Sequence, residues 1–224
     1  LYNTLESITW MVEGERNDDA AFMITQLAKL FRISLSKGNT VITVRDELQH
    51  AQSYMNIQKV RYKNTFSVEF DVDQEVYSYC TVKLILQPIL ENAINYGVSG
   101  MDDCGEIRVT GRLDGENVIL AVEDNGIGMS EEQVSLLLTD SSRVHKHGSG
   151  VGLVNVNNRI QLLFGKEYGL MVESEPDEGT KVSIRIPAIL YTEENRKILE
   201  KGYGFGGEEM VDGKNRVDGD EEQQ

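Results

Sequence analysis

The chain has 224 residues, 40% of them hydrophobic, 26% charged and only 3 of them proline, which describes a globular protein with a sizeable core and excludes collagen-like or wholly disordered chains. Thirty-seven acids against 22 bases leave a formal charge of -15, and so negative a surface repels polyphosphate unless a metal ion or local bases intervene, which argues against nucleic acid as a partner. Cys80 and Cys104 are too few for a disulfide framework or a four-thiolate zinc site, and no apolar run reaches the roughly 18 residues of a membrane span.

From Leu1 to Tyr62 apolar residues recur at helical spacing, interrupted at Glu13 to Asp19 and again at Lys37-Gly38-Asn39, which predicts a helical hairpin. Ala20, Ile24, Leu27 and Phe31 form the stripe of the outgoing arm, with Met23 and Leu30 beside it. Val44, Leu48, Ala51, Met55, Gln58 and Tyr62 form that of the return arm. Two helices cannot shield stripes this wide, so a four-helix bundle in a homodimer is the economical solution, and packing onto the following domain is the alternative.

Past Asn64 the period drops to two. Phe66, Val68, Phe70 and Val72 alternate as a strand, and a helix is predicted from about Tyr79 to Tyr96 with a kink at Pro88. Ile107, Val109 and Leu113 lead to an Asp114-Gly115 turn from which Val118, Leu120 and Val122 return. Ser130 and Gln133 make a capping box, Leu153 to Phe164 a helix stopped by Gly165, and two strands flank Pro176 to Gly179. The polar stretch 139–150, rich in Ser, His and Gly, reads as a loop. The fold class is therefore α+β: a helical hairpin over residues 1–64, a two-layer α/β sandwich with a mixed sheet over 65–190, and an acidic, disordered tail over 191–224, with a weak helix possible at Glu193 to Lys201.

Three segments carry chemistry. On a helix, Asn92 and Asn95 are three residues apart and share a face, a hard carboxamide oxygen suits magnesium, and Tyr96 can stack on a base. After a strand comes Asp124-Asn125-Gly126-Ile127-Gly128, in which a carboxylate can accept an exocyclic amine proton of adenine while Gly126 and Gly128 let backbone approach the ring; the same residues also suit a plain turn. Gly148-Ser149-Gly150-Val151-Gly152-Leu153 leads into a helix, where exposed N–H groups and the helix dipole favour phosphate. It is neither a dinucleotide fingerprint nor a P-loop, since the preceding residues make no buried strand and no Gly-Lys-Ser/Thr follows.

The order of these segments, followed by Glu178-Gly179-Thr180 before the last strand, resembles the ATP-binding domain of sensor histidine kinases, a fold shared with gyrase-type ATPases. Gln87-Pro88-Ile89-Leu90-Glu91-Asn92-Ala93 and Gly150-Val151-Gly152-Leu153-Val154-Asn155-Val156-Asn157-Asn158-Arg159-Ile160 are similar to the LytS/YesM-type subfamily. The resemblance implies ATP and Mg2+ as ligands, with Asn92 on the metal, Asp124 on adenine, Thr180 reaching adenine through water, and Gly148, Gly150 and Gly152 shaping a phosphate lid. Asn95 and Tyr96 depart from the family's Lys-His pair, Val154 and Asn158 stand where Arg and Glu are common, and Pro88 replaces a second polar ligand. Pro88 also stands where a gyrase- or chaperone-type ATPase would carry its water-activating base.

Leu1-Tyr2-Asn3-Thr4-Leu5 resembles the stretch just after the phosphoacceptor in an Asn-Pro-His-Phe-Leu-Tyr-Asn motif, which puts that histidine two residues before Leu1 and leaves no catalytic residue of this type in the chain. The resemblance further implies phosphoryl transfer from MgATP to the histidine and on to a response regulator, with membrane contact only through upstream segments. A degenerate ATP-binding dimerisation module that regulates a partner without phosphotransfer is the alternative.

Overall fold

The computed structural model describes residues 2–35, 40–98, 101, 104–137 and 150–201. Helices α1 (Tyr2–Glu13) and α2 (Asn17–Ser34) meet at the expected break, and after the short strand β1 (Val41–Thr43) helix α3 (Val44–Arg61) runs back. Thr43 caps α3 by accepting the Asp46 N–H at 3.0 Å. The second break, at Lys37 to Asn39, lies outside the described residues.

Strands β2 (Phe66–Val72), β4 (Gly105–Asp114), β5 (Asn117–Asp124), β6 (Gly169–Glu175) and β7 (Gly179–Pro187) form one sheet in the order β2-β4-β5-β7-β6, parallel between β2 and β4 and antiparallel elsewhere. Strand β3 (Cys80–Val82) pairs with β1 apart from it. Helices α4 (Leu86–Asn92) and α6 (Gly150–Phe164) cover one face of the sheet, α5 (Glu131–Leu137) and α7 (Glu193–Glu200) complete the described α-helices, and a 3-10 helix (Gln74–Ser78) and a π-helical turn (Ala93–Val98) stand beside them. Val109, Leu120, Ile184 and Ile186 from the sheet meet Leu86, Leu90, Ile160 and Phe164 from the helices in one core. This is the expected α+β architecture with its mixed, two-layer sandwich. The Ser130 box also forms, with Ser130 N–H donating to Gln133 Oε1 at 2.8 Å and the Gln133 N–H returning to Ser130 Oγ at 3.4 Å.

Several expectations change. Strand β3 takes the start of the helix predicted from Tyr79, so α4 begins at Leu86 and Pro88 falls in its first turn, where a missing N–H costs nothing and no kink is needed. The hairpin turn centres on Gly115-Glu116, because Asp114 still pairs with Asn117. In α2 the buried face runs through Ala20, Met23 and Gln26, and Ile24 is exposed. The return arm follows the alternative packing: Val44, Leu48, Ala51 and Met55 join the core of the sheet.

Residues 191–201 are ordered: α7 forms where a weak helix was expected at Glu193 to Lys201, and this part of the stretch expected as a disordered tail is not one. Thr192 caps α7 through Asn195 N–H at 3.0 Å, Leu199 is buried, and Glu200 Oε1 accepts Thr40 N–H at 2.9 Å, which fastens α7 to the start of β1. The rest of that stretch lies outside the described residues. Among the described residues no helix is long and apolar enough to cross a membrane.

Candidate functional site

The period-2 alternation of β5 puts Val118, Leu120, Val122 and Asp124 on the same inward face. Asp124 therefore occupies, at the strand's end, a position that its pattern gives to apolar residues, and it is only 7% exposed. Burial pushes its carboxyl up to about 6, against the pull of N–H donors from Gly126 and Thr180. Gly126 N–H donates to Oδ1 at 3.0 Å. Thr180 lies directly across the ladder from Asp124, so two residues 56 positions apart in the chain stand side by side.

Glycine is required here by contact as well as by conformation. A Cβ on Gly126 would come within 2.3 Å of the Gly97 backbone, and one on Gly97 within 2.6 Å of Asp124 Oδ1. Gly128 takes φ +62°, and a Cβ there would sit 1.8 Å from Glu175 O. Ser174 Oγ accepts Met129 N–H at 2.9 Å and donates to Gly179 O at 2.7 Å, so the Thr180 hydroxyl, 2.9 Å away, is the donor to Ser174 and keeps its lone pairs for another partner.

Above this floor lies a cavity of about 380 Å³. Asn92, Asp124, Tyr96, Gly128, Leu153 and Thr180 line it, with Ile89, Ala93, Val122, Ile127 and Val182 as apolar wall. An apolar slot with a few convergent polar groups, one a buried carboxylate, suits a planar heterocycle with an exocyclic donor. Asn92 offers the cavity a carboxamide oxygen, while the Gln133 carboxamide oxygen in the same wall already accepts Ser130 N–H at 2.8 Å, and one neutral oxygen suits a magnesium ion that keeps its waters and phosphate oxygens.

The predicted residues do not all converge. Asn92, Tyr96, Asp124, Gly128, Leu153 and Thr180 share the cavity, and Gly126 supports it from beneath Asp124. Asn95 does not share a face with Asn92. From Ala93 to Val98 the helix widens to a π-helical turn, which rotates residue 95 out of the cavity wall, and its Oδ1 accepts from Tyr62 OH at 3.3 Å. Gly150 and Val151 form the first residues of α6, a Cβ added at Gly152 would lie 3.5 Å from Pro88 Cβ, and Gly148 lies outside the described residues. Sequence reasoning missed Gly97, whose only signal was its place five residues after Asn92, and it missed Ser174.

Comparison with known proteins follows the same segments. Residues 1–66 match the histidine kinase family, and residues 81–189 match the histidine kinase-, DNA gyrase B-, and HSP90-like ATPase family. The sensor histidine kinase YesM of Bacillus subtilis (strain 168) is 35% identical over 187 residues, 84% of this chain and 31% of YesM. The sensor protein LytS of Staphylococcus saprophyticus is 30% identical over 188 residues, 83% of this chain and 31% of LytS. The chain thus spans about a third of the length of these relatives. Among solved structures, the catalytic domain of histidine kinase ThkA shares the fold with a TM-score of 0.52 at 18% identity, over 67% of this chain and 96% of that domain.

Proposed function

The chain belongs to the sensor histidine kinase family and contains its catalytic ATP-binding domain, and from that premise we propose that it binds MgATP in the cavity around Asp124 and serves transfer of the terminal phosphoryl group to a histidine, then to an aspartate of a response regulator. The observation that carries the reading is the convergence of Asn92, Asp124 and Thr180 on one cavity from three distant stretches of sequence. Asp124 accepts the exocyclic amine proton of adenine, Tyr96 and Leu153 close on the ring, and Asn92 contributes one oxygen to Mg2+. The metal, when bound, neutralises charge on the phosphates. Gly148 to Gly152 lie in sequence where backbone N–H groups at the start of α6 favour the triphosphate. Phosphoryl transfer asks for positioning and electrostatics more than covalent help from the protein.

The receiving histidine is none of the three in this sequence. His50 is buried in α3, with Nε2 2.9 Å from Ser34 Oγ, and His145 and His147 lie outside the described residues. Within residues 1–64, α1 and α2 serve dimerisation, while residues 65–190, onto which α3 packs, serve as the nucleotide-binding unit. Exposed Tyr2, Trp10 and Ile24 on α1 and α2 support homodimerisation. The whole protein would work on the cytoplasmic side of the cell membrane.

Titration with a fluorescent ATP analogue and Mg2+ tests the reading. Binding is expected, Asp124→Asn should abolish it, and Asn92→Ala should weaken the magnesium-dependent part far more than binding of adenosine. With labelled ATP the chain should acquire no acid-labile label, yet should phosphorylate a partner chain that carries an acceptor histidine. Nucleotide binding without any transfer to that partner would favour a regulatory module instead.

A further inference from the structure

Helix α4, which carries Asn92, is entered through a turn that its sequence does not favour. Leu84 sits at φ +60°, in the left-handed region where a Cβ-bearing residue is strained. The turn is gripped from two sides. Glu47 of α3, with 0% exposure, accepts the Leu84 N–H on one carboxylate oxygen at 2.7 Å and the Ile85 and Leu86 N–H groups on the other at 2.7 and 2.8 Å. From the opposite side Arg159 of α6 donates to the carbonyl oxygens of Lys83 and Leu84, the second at 3.3 Å.

Three donors on two oxygens match an ionised carboxylate, since a protonated one would need an acceptor for its own hydrogen. Burial raises the cost of that charge, offset by the three N–H bonds and by Arg159. A serine or threonine cap would serve a helix start with far less desolvation. What the carboxylate adds is connection. It joins the hairpin helix α3 to α4, and Arg159 joins the same turn to α6, the helix that begins in the glycine-rich segment.

We propose that Glu47 is a positioning residue for the metal and triphosphate end of the cavity: by clamping the Leu84 turn against Arg159 it sets where α4 presents Asn92. Asn92 is six residues beyond the clamped Leu86 N–H, about 9 Å along a rigid short helix, so a rotation of the turn is delivered to the carboxamide. The polar groups of the adenine end, Asp124 and Thr180, come from β5 and β7, which the clamp does not touch, while Tyr96 and Leu153 add contact to the ring from the helical side. The hairpin and the nucleotide site are thereby linked through one side chain. This inference rests on the MgATP reading above.

Glu47→Gln tests it, because the carboxamide keeps the size but turns an N–H2 group toward one of the backbone donors. Affinity for MgATP should fall about tenfold, the scale for losing a group that orients a metal ligand, and affinity for adenosine should stay within about twofold. Equal losses for both ligands, or unchanged MgATP affinity in the variant, would overturn the proposal. A wild-type chain that binds adenosine but not MgATP refutes the clamp's role; one that binds neither refutes the functional reading and the clamp with it. Should Glu47→Gln fail to fold, Arg159→Gln leaves the carboxylate in place and is expected to give the same split. Leu84→Gly accepts φ +60° without strain, so adding it to Glu47→Gln should recover most of the MgATP affinity, and no recovery would count against the clamp.

Discussion

Helices α2 and α3 carry similar apolar stripes and meet opposite fates. In α3, Val44, Leu48, Ala51 and Met55 are sealed in the core of the sheet, while Ile57, with Val60 beside it, reaches the smaller cluster with Ile8, Met11, Ala20 and Met23. In α1 and α2, Tyr2 is 89% exposed, Trp10 71% and Ile24 54%. The pattern of a helix announces that a face wants burial, but the partner for that face depends on what else the chain brings near. Here α3 belongs to the nucleotide-binding part by its packing, and α1 with α2 keeps apolar surface for another molecule.

The sharpest way to break this contrast is Met55→Ala. A fully buried side chain in the main core should cost about 3 kcal/mol on truncation, read as a lowered denaturation midpoint with the whole sheet unfolding together. A loss under about 1 kcal/mol would mean that α3 is only loosely docked.

Next in size is the joint between α2 and α3. Burial, with Lys83 nearby, lowers the His50 imidazole from 6.5 to about 4. The folded value lies below the unfolded one, so this contribution is complete above about pH 6.5 and disappears as pH falls toward 4, about 2 kcal/mol of it by pH 5. His50→Gln should flatten that acid limb in urea denaturation series. An unchanged limb would move the pH sensitivity to some other group.

Asp124 has the opposite sign. Its folded value of about 6 exceeds the unfolded 3.8, so its burial stabilises the folded chain below 3.8, an advantage lost as pH rises through 6. Binding runs the other way, because only the carboxylate accepts the adenine proton. Adenosine, which does not titrate in this window, should bind about tenfold more weakly at pH 5 than at pH 8, measured by NMR titration. A flat profile would remove Asp124 from the contact.

The smallest expected effect on stability is Trp10→Ala, under about 0.5 kcal/mol for so exposed a side chain. Its consequence should appear in self-association, measured by light scattering across a concentration series. Unchanged association would show that this face is not the dimer surface.

Much of this protein was legible in its pattern. The alternation of β2, β4 and β5, the Ser130 capping box, the stop at Gly165 and the order of Asn92, Asp124 and Thr180 all rest on short-range rules of period, cap and turn. Where those rules compete, the pattern misled. Residues 79–85 look helical by apolar spacing, yet β3 pairs with β1 and Glu47 captures the turn that follows. Asn95 looks like the neighbour of Asn92 at α-helical pitch, and the π-helical turn moves it away.

Sequence alone determined most of the helix and strand segments, residues 79–85 excepted, and which chemical groups could meet a magnesium nucleotide, because propensity, periodicity and functional-group chemistry are properties of neighbouring residues. Tertiary structure decided the rest: that α3 seals against the sheet, that Asp124 is desolvated at the end of β5, that Gly97 must lack a side chain, and that Glu47 reaches 37 residues along the chain to hold the entry to α4. These depend on distances between stretches far apart in the chain, and on the cost of burying charge without donors, neither of which any local window of sequence contains.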